Sequence, residues 1–409
     1  MSPSTKQLQT NHTNVQAGSW LEEGAAAYRP GGFHPVYIGD IYHGRYDILS
    51  KIGYGAYSTV WLVRDREAKK GDAAEFRALE VLSAKCYGAQ QDVYEREILR
   101  HLRDGDKDLM GYKFICHLED ESEHKGPNGT HACLVFQLCG ERLLSFGAWF
   151  KDCMIPTEVM RRITIQLLLA LDCAHECGVV HTDITASNIF VKMRTYSRVE
   201  SDYLAHETVP QDRTEDQYAV IPTRPLSEYY FEDSDLIDEL DIVLGDWGVS
   251  SWTEKHLCEV IQPVALRAPE VLLGAGWGPA ADIWNVGAIV LEMYRAVRMF
   301  SGRVAPDGHY ELREHLVEIE HLLGPFPKAL LEKGDPEIVG SMFDEQGRVK
   351  HATKFDADHS LMSEWYTTEL PQDEKEEFVA FLKSAMKIDP AERPTPEDLL
   401  RGPWLHAIA

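Results

Sequence analysis

The chain has no run of about 18 uninterrupted apolar residues, the length needed to cross a bilayer as a helix, so a membrane span is not expected. Its first residues, Met1 to Asn14, are polar and have no apolar signal core, and secretion is not expected either. Positive charge is scarce. There are 41 Lys and Arg against 66 Asp and Glu, a formal net charge of −25, which argues against nucleic acid as a direct partner and suits an acidic surface that attracts basic protein. Cysteine is sparse and scattered, at 86, 116, 133, 139, 153, 173, 177 and 258. Cys173 and Cys177, one helical turn apart, have no second pair or His cluster at zinc spacing, so thiols in a reducing cytosol fit better than a metal site. No internal repeat is visible.

The content is that of a globular protein, 44% apolar and 26% charged over 409 residues, enough for two lobes. Residues 1–28 read as a flexible tail, 29–137 as a first lobe and 138–409 as a second. Tyr46 to Ile52, Ser58 to Val63 and Phe76 to Ala84 carry strand patterns, with Gly53 and Gly55 at the turn between the first two. That turn is either a plain glycine hairpin or a loop whose backbone approaches phosphates. Asp92 to Leu102 reads as a helix with Val93, Ile98, Leu99 and Leu102 on its apolar side, and His131 to Gly140 as a buried strand ending in a hinge. Beyond Pro156 helical spacing dominates, and Asp282 to Tyr294 is apolar on nearly all sides, as a core helix should be. Further helices are expected at 311–323, 373–386 and 396–405. Between them, residues 191–240 hold 12 Asp/Glu against five Lys/Arg and read as an acidic surface insertion.

Chemistry concentrates in His181-Thr-Asp183-Ile-Thr185-Ala-Ser-Asn188, where a carboxylate and an amide lie five residues apart. Such a pair can take a hydroxyl proton and ligate magnesium. Three companions follow the right order: the Gly53/Gly55 loop upstream, Asp246-Trp247-Gly248 downstream and Ala268-Pro269-Glu270 beyond.

From Tyr46 to Leu405 these motifs resemble a eukaryotic protein kinase. Gly31-Gly-Phe-His-Pro-Val-Tyr-Ile-Gly-Asp40, His181-Thr-Asp183, the insertion, Ile319-Glu-His-Leu-Leu-Gly-Pro-Phe-Pro327 and Phe343-Asp-Glu-Gln-Gly347 are more closely similar to SR-protein kinases of the fungal branch. The resemblance implies an α+β, two-lobed protein-kinase fold: a small antiparallel N-lobe of five strands and one helix, and a larger helical C-lobe. It implies ATP and magnesium as cofactors, basic Arg/Ser-rich proteins as substrates, a monomer, and a cytoplasmic or nuclear setting. Ile52, Gly53, Gly55 and Val60 would cover the nucleotide and Ala78 pack on adenine. Phe136 would be the gatekeeper, and Gln137, Leu138 and Cys139 the hinge. Asp183 would act as base, and Asn188 and Asp246 would hold magnesium. Glu270 would pair with Arg393, and Asp282 brace the catalytic loop. In the C-terminal lobe, Glu314 matches an acid of the substrate-docking groove, while His321 stands where a Glu is usual, next to Glu320.

Three departures matter. Thr182 replaces the arginine that grips a phosphorylated activation loop, as in constitutively active members. Glu80 occupies the place of the phosphate-pairing lysine and would face Glu97, a like-charge pair. Thr185 replaces the lysine two residues beyond Asp183. Lys85 is the nearest candidate to replace the lost cation. The residues thus support an active Ser/Thr kinase or, on the strength of Glu80, a pseudokinase that binds partners. A small-molecule phosphotransferase is disfavoured by Arg267-Ala-Pro-Glu270.

Overall fold

The computed structural model describes residues 22–86, 94–205, 218–231, 239–296, 299–304, 307–351, 360–368 and 370–407. Its N-lobe is one antiparallel sheet in the order β1 (Ile41–Tyr42), β2 (Tyr46–Tyr54), β3 (Ser58–Asp65), β4 (Phe76–Leu82), then β6 (Gly129–Gln137) and β5 (Leu118–Gly126) at the edge. The sheet has six strands rather than five because the two-residue β1 pairs Ile41 with Asp47 and Tyr42 with Tyr46. Alternation along the strands sends side chains to two faces. Trp61, Val63, Leu79, Val81, Cys133 and Val135 form an outer core with Val36, Tyr42 and Ile48. On the inner face Leu82 and Leu134 meet Ile98, Leu99 and Leu102 of helix α1 (Glu95–Arg103). Burying each such aliphatic side chain contributes roughly 1.5–3 kcal/mol.

The hinge strand β7 (Cys139–Arg142) leads through the short α2 (Leu143–Phe146) to α3 (Thr157–Glu176), which Pro156 introduces with extended backbone. Two short pairings then build the cleft floor. Strand β8 (Val179–Val180) pairs with β11 (Ser251–Trp252), and β9 (Ile189–Lys192) lies between β7 and β10 (Ile242–Leu244). Helix α4 (Pro269–Leu273) ends on Gly274 at φ 64°, the left-handed cap position glycine tolerates. The core helix α5 (Ala280–Arg295) is buried nearly all round. The other C-lobe helices are α6 (Leu312–Leu323), α7 (Lys328–Leu331), α8 (Pro336–Met342), α9 (Gln372–Ala385) and α10 (Pro396–Leu400). The last starts on a Thr395–Asp398 capping box and stops at Leu400 instead of running to 405. No described helix is long and apolar enough to cross a membrane.

Two sequence expectations need correction. The first concerns the tail. Residues 1–21 lie outside the described set, but the stretch 22–28 is anchored at both ends: the fully buried Lys51 ammonium donates to Glu22 at 2.8 Å and to Glu23 at 2.7 Å, and the tilted rings of Tyr28 and Tyr218 lie 4.4 Å apart. The second concerns the insertion. Many of its acids (207, 212, 215, 216, 232, 233, 235 and 238) lie outside the described residues, yet its apolar side chains are not on the surface. Ile221 joins the outer core, while Val199, Tyr203 and Leu226 pack with Leu62, Phe76 and Leu138 beside the hinge. The Lys51 ammonium also donates to the Ile221 carbonyl, at 3.1 Å, so tail and insertion meet on one buried cation.

Candidate active site

The catalytic-loop segment folds as its spacing implies. Asp282, at the start of α5 and fully buried, accepts from the amides of His181 and Thr182, each at 2.9 Å, and from His175 Nε2 at 2.9 Å. His181 is buried beneath the loop, its Nε2 2.9 Å from the Gly245 carbonyl and its ring against Trp247. The loop is thereby tied to the segment carrying Asp246. Asn188 Nδ2 donates to the Asp183 carboxylate and to its carbonyl, both at 2.8 Å, which leaves the amide oxygen for a cation. Burial raises the Asp183 carboxyl above its ordinary value; His181 and the Asn188 amide lower it, and Asp246 raises it. Asp183, Asn188 and Asp246 therefore share one cleft. Asp246 has φ 59°, a left-handed conformation uncommon for aspartate, and is exposed to the cleft. Asp183 can accept a hydroxyl proton, and the Asn188 and Asp246 oxygens fit a hard cation such as magnesium.

Thr182 is also left-handed, at φ 67°, which costs strain in a β-branched residue. Its hydroxyl donates to the Val249 carbonyl at 2.8 Å and its carbonyl accepts from Gln262 at 3.1 Å. Both ends of the segment between Asp-Trp-Gly and Ala-Pro-Glu are thus pinned without a phosphate. Further on, the Glu270 carboxylate accepts two bonds of 2.6 Å from Arg393, both groups fully buried.

The cleft roof contains the expected residues. Gly53 pairs with Val60, and Gly55 donates to the Ser58 carbonyl at 2.9 Å to close the turn. Ala78 pairs with Phe136, and Ile52 and Ala78 pack against the cluster that includes Leu138. Leu138 is itself buried, which leaves backbone for ligand contact, with Gln137 and Cys139 half-buried on either side.

The structure overturns one site residue. Glu97 is exposed, and the carboxylate that faces Glu80 is the buried Glu95. At 3.6 residues per turn, Ile98, Leu99 and Leu102 lie three, four and seven positions after Glu95, so Glu95 shares their inward face and Glu97 turns to solvent. That spacing was available in the sequence. Burial, then Glu80 and Asp246, hold the Glu95 carboxyl well above the usual range. Burial also pushes Glu80 up to about 7, with Asp246 adding to the rise and the Ser58 hydroxyl and Arg142 opposing it. Glu80 keeps some accessible surface, but that surface opens on the cleft. Lys85 does not take the missing lysine's place: it is exposed, with its ammonium 5.0 Å from the Tyr57 ring at the glycine loop.

On the proposed docking helix α6, Glu314 is half-buried, whereas Glu320 accepts from the Val349 amide at 2.7 Å and is committed to holding that loop.

Comparison with known proteins agrees with this geometry. The protein kinase domain model matches residues 46–218 and 234–405. A serine/threonine protein kinase of Aspergillus fumigatus is 32% identical, covering 94% of this chain and 91% of its own. Protein kinase dsk1 of Schizosaccharomyces pombe is 28% identical over 95% of this chain and 86% of its own length, and human SRSF protein kinase 3 is 24% identical over 94% and 90%. The crystal structure of the PF14_0431 kinase domain superposes with a TM-score of 0.64 over 90% of this chain and 98% of that one, at 20% identity, a likeness of fold. With the kinase domain matched over nearly all of the sequence and SR-protein kinases among its relatives, the chain belongs to the protein kinase family, with a serine/threonine protein kinase as a 32% identical relative.

Proposed function

We propose that this protein transfers the γ-phosphoryl group of ATP to Ser or Thr in basic, Arg/Ser-rich proteins. The observation that carries the reading is the Asp183–Asn188–Asp246 constellation, fixed from below by Asp282 and His181. In this reading Asp183 orients the substrate hydroxyl and takes its proton. The Asn188 and Asp246 oxygens hold magnesium, which supplies charge neutralisation at the transferring phosphoryl group. Ile52, Gly53, Gly55, Val60, Ala78 and the Gln137–Cys139 backbone hold the nucleoside. The pinned segment around Thr182 supports activity without prior phosphorylation, and the net charge of −25 supports a basic substrate. The name of the human relative, SRSF protein kinase 3, supports the same substrate class.

One observation favours a second reading, a pseudokinase scaffold. Glu80 and Glu95 place two carboxyl groups where a lysine–glutamate pair would otherwise meet the phosphates. Phosphotransfer from radiolabelled MgATP to an Arg/Ser peptide, with Asp183→Asn as the blank, separates the two. Transfer above the blank establishes the enzyme, and nucleotide binding without transfer establishes the scaffold.

A further inference from the structure

The cleft gathers four carboxyl groups, Glu80, Glu95, Asp183 and Asp246, around the space that a triphosphate would occupy in the reading above. Such a site needs a cation besides magnesium if it is to hold phosphates well. The nearby cations of the N-lobe are committed elsewhere: Lys51 to Glu22 and Glu23, Arg77 to Glu119, Lys85 to the face of Tyr57.

Arg142 is different. It ends β7 with its Cα paired to that of Phe190, two residues beyond Asn188. Two residues later the Leu144 amide donates to the Ala186 carbonyl at 3.0 Å, which stitches this corner to the catalytic loop itself. Glu141, its neighbour, points the other way: its carboxylate accepts from Trp149 Nε1 at 2.6 Å and from the Tyr230 hydroxyl at 2.7 Å, beside the insertion. The register of β7 against β9 shifts between Cys139 and Arg142, and beyond that irregularity Arg142 stands over Phe190 at the end of the strand, beside the catalytic loop. Its side chain is exposed, its guanidinium has no hydrogen-bond or ion-pair partner among the described residues, and its charge acts on Glu80 across the gap.

We propose that Arg142 is the phosphate-binding cation of this kinase, reaching the nucleotide from the C-lobe wall in place of the lysine whose position Glu80 occupies. The inference rests on the nucleotide-binding reading above and assigns to that site a residue the family's motifs do not name. A planar guanidinium at the end of a long side chain can hold two phosphate oxygens at once and is never deprotonated at working pH, so it can stand beside four carboxyl groups without losing its charge.

Calorimetric titration of the full chain with MgATP and separately with adenosine, for the wild type, Arg142→Gln and Arg142→Lys, tests this. Arg142→Gln should weaken MgATP at least tenfold and leave adenosine within twofold, because adenosine uses the roof and hinge but has no phosphate. Arg142→Lys should recover part of the loss, and the KM for ATP should follow the same order. Equal MgATP affinity of wild type and Arg142→Gln overturns the assignment while leaving the kinase reading intact. A parallel loss of adenosine also overturns it, by showing a structural role. A wild type that binds neither ligand removes the nucleotide site and the assignment with it.

Discussion

Glu80→Lys tests how far this cleft stands from an ordinary one. In the wild type the Glu80 carboxyl, pushed up to about 7, is about half ionised at neutral pH and lies near Glu95 and Asp246. The substitution removes that partial negative charge and places a cation opposite Glu95. At about 4 Å and an effective dielectric constant near 20, one unit pair is worth roughly 4 kcal/mol before desolvation and side-chain entropy are subtracted. A net of about 1.5–3 kcal/mol is reasonable, a tenfold or greater gain in MgATP affinity. Glu80→Gln separates the two contributions: it removes the repulsion without adding the attraction and should fall between wild type and Glu80→Lys. Calorimetry with MgATP and initial rates on an Arg/Ser peptide measure both steps. If Glu80→Lys binds MgATP no better than the wild type, the lysine's place is not next to the phosphates in this protein and the electrostatic reasoning fails. If it binds better yet transfers nothing, adding Thr185→Lys shows whether the second missing lysine limits the chemistry. No transfer even then favours the scaffold.

Asp183→Asn should lower phosphotransfer by about 100-fold or more with MgATP affinity nearly unchanged, since the proposed base acts on the hydroxyl; single-turnover rates and calorimetry check the two halves. Glu314→Ala should weaken an Arg-rich peptide and flatten its salt dependence, read by fluorescence anisotropy between low and high salt, and binding indifferent to both would leave α6 a solvated face. Lys51→Met leaves Glu22 and Glu23 facing a buried site and should cost about 3 kcal/mol of stability, seen as a lower Tm by calorimetry. His34, packed with His124 and His131, is pushed down to about 3 by burial first and those rings second. A base with a lowered folded pKa stabilises the fold above its unfolded value and loses that stability as pH falls, here below about 6.5, by about 2 kcal/mol at pH 5. His34→Leu should flatten that acid limb in denaturant titrations.

How much could be read from the sequence depended on how local the determining interaction is. The five-residue spacing from Asp183 to Asn188 fixes one hydrogen-bonded loop, and its chemistry is carried by the motif itself. The buried helix α5 and the alternation of β3 follow from periodicity in single segments. Glu270 and Arg393 are 123 residues apart, yet family resemblance paired them and the structure joins them by two hydrogen bonds. The insertion misled because its charge dominated the count. Its acids contribute to composition wherever they point, whereas Ile221 and Leu226 act through contacts with strands far upstream that no local pattern shows. Arg142 carried no sequence signal at all, since its meaning depends on β7 pairing at Phe190 and on the adjoining α2 being tied to Ala186.

Glu95 joins these threads. A carboxyl group on the inward face of α1 is costly to bury without a cation, and burial together with the neighbouring Glu80 and Asp246 holds it well above the usual carboxylate range. Its ionised form would repel both Asp246 and phosphate, and burial disfavours that form. The departure at Glu80 therefore does not simply delete a cation; it changes the state of its partner as well. Two carboxyls on the N-lobe wall, each with its charged form disfavoured, leave the positive work to the C-lobe side of the cleft. On that side Asn188 and Asp246 keep oxygen ligands available, and Arg142 keeps an unengaged guanidinium. The charge the family places on the roof is thus drawn, in this chain, from the floor.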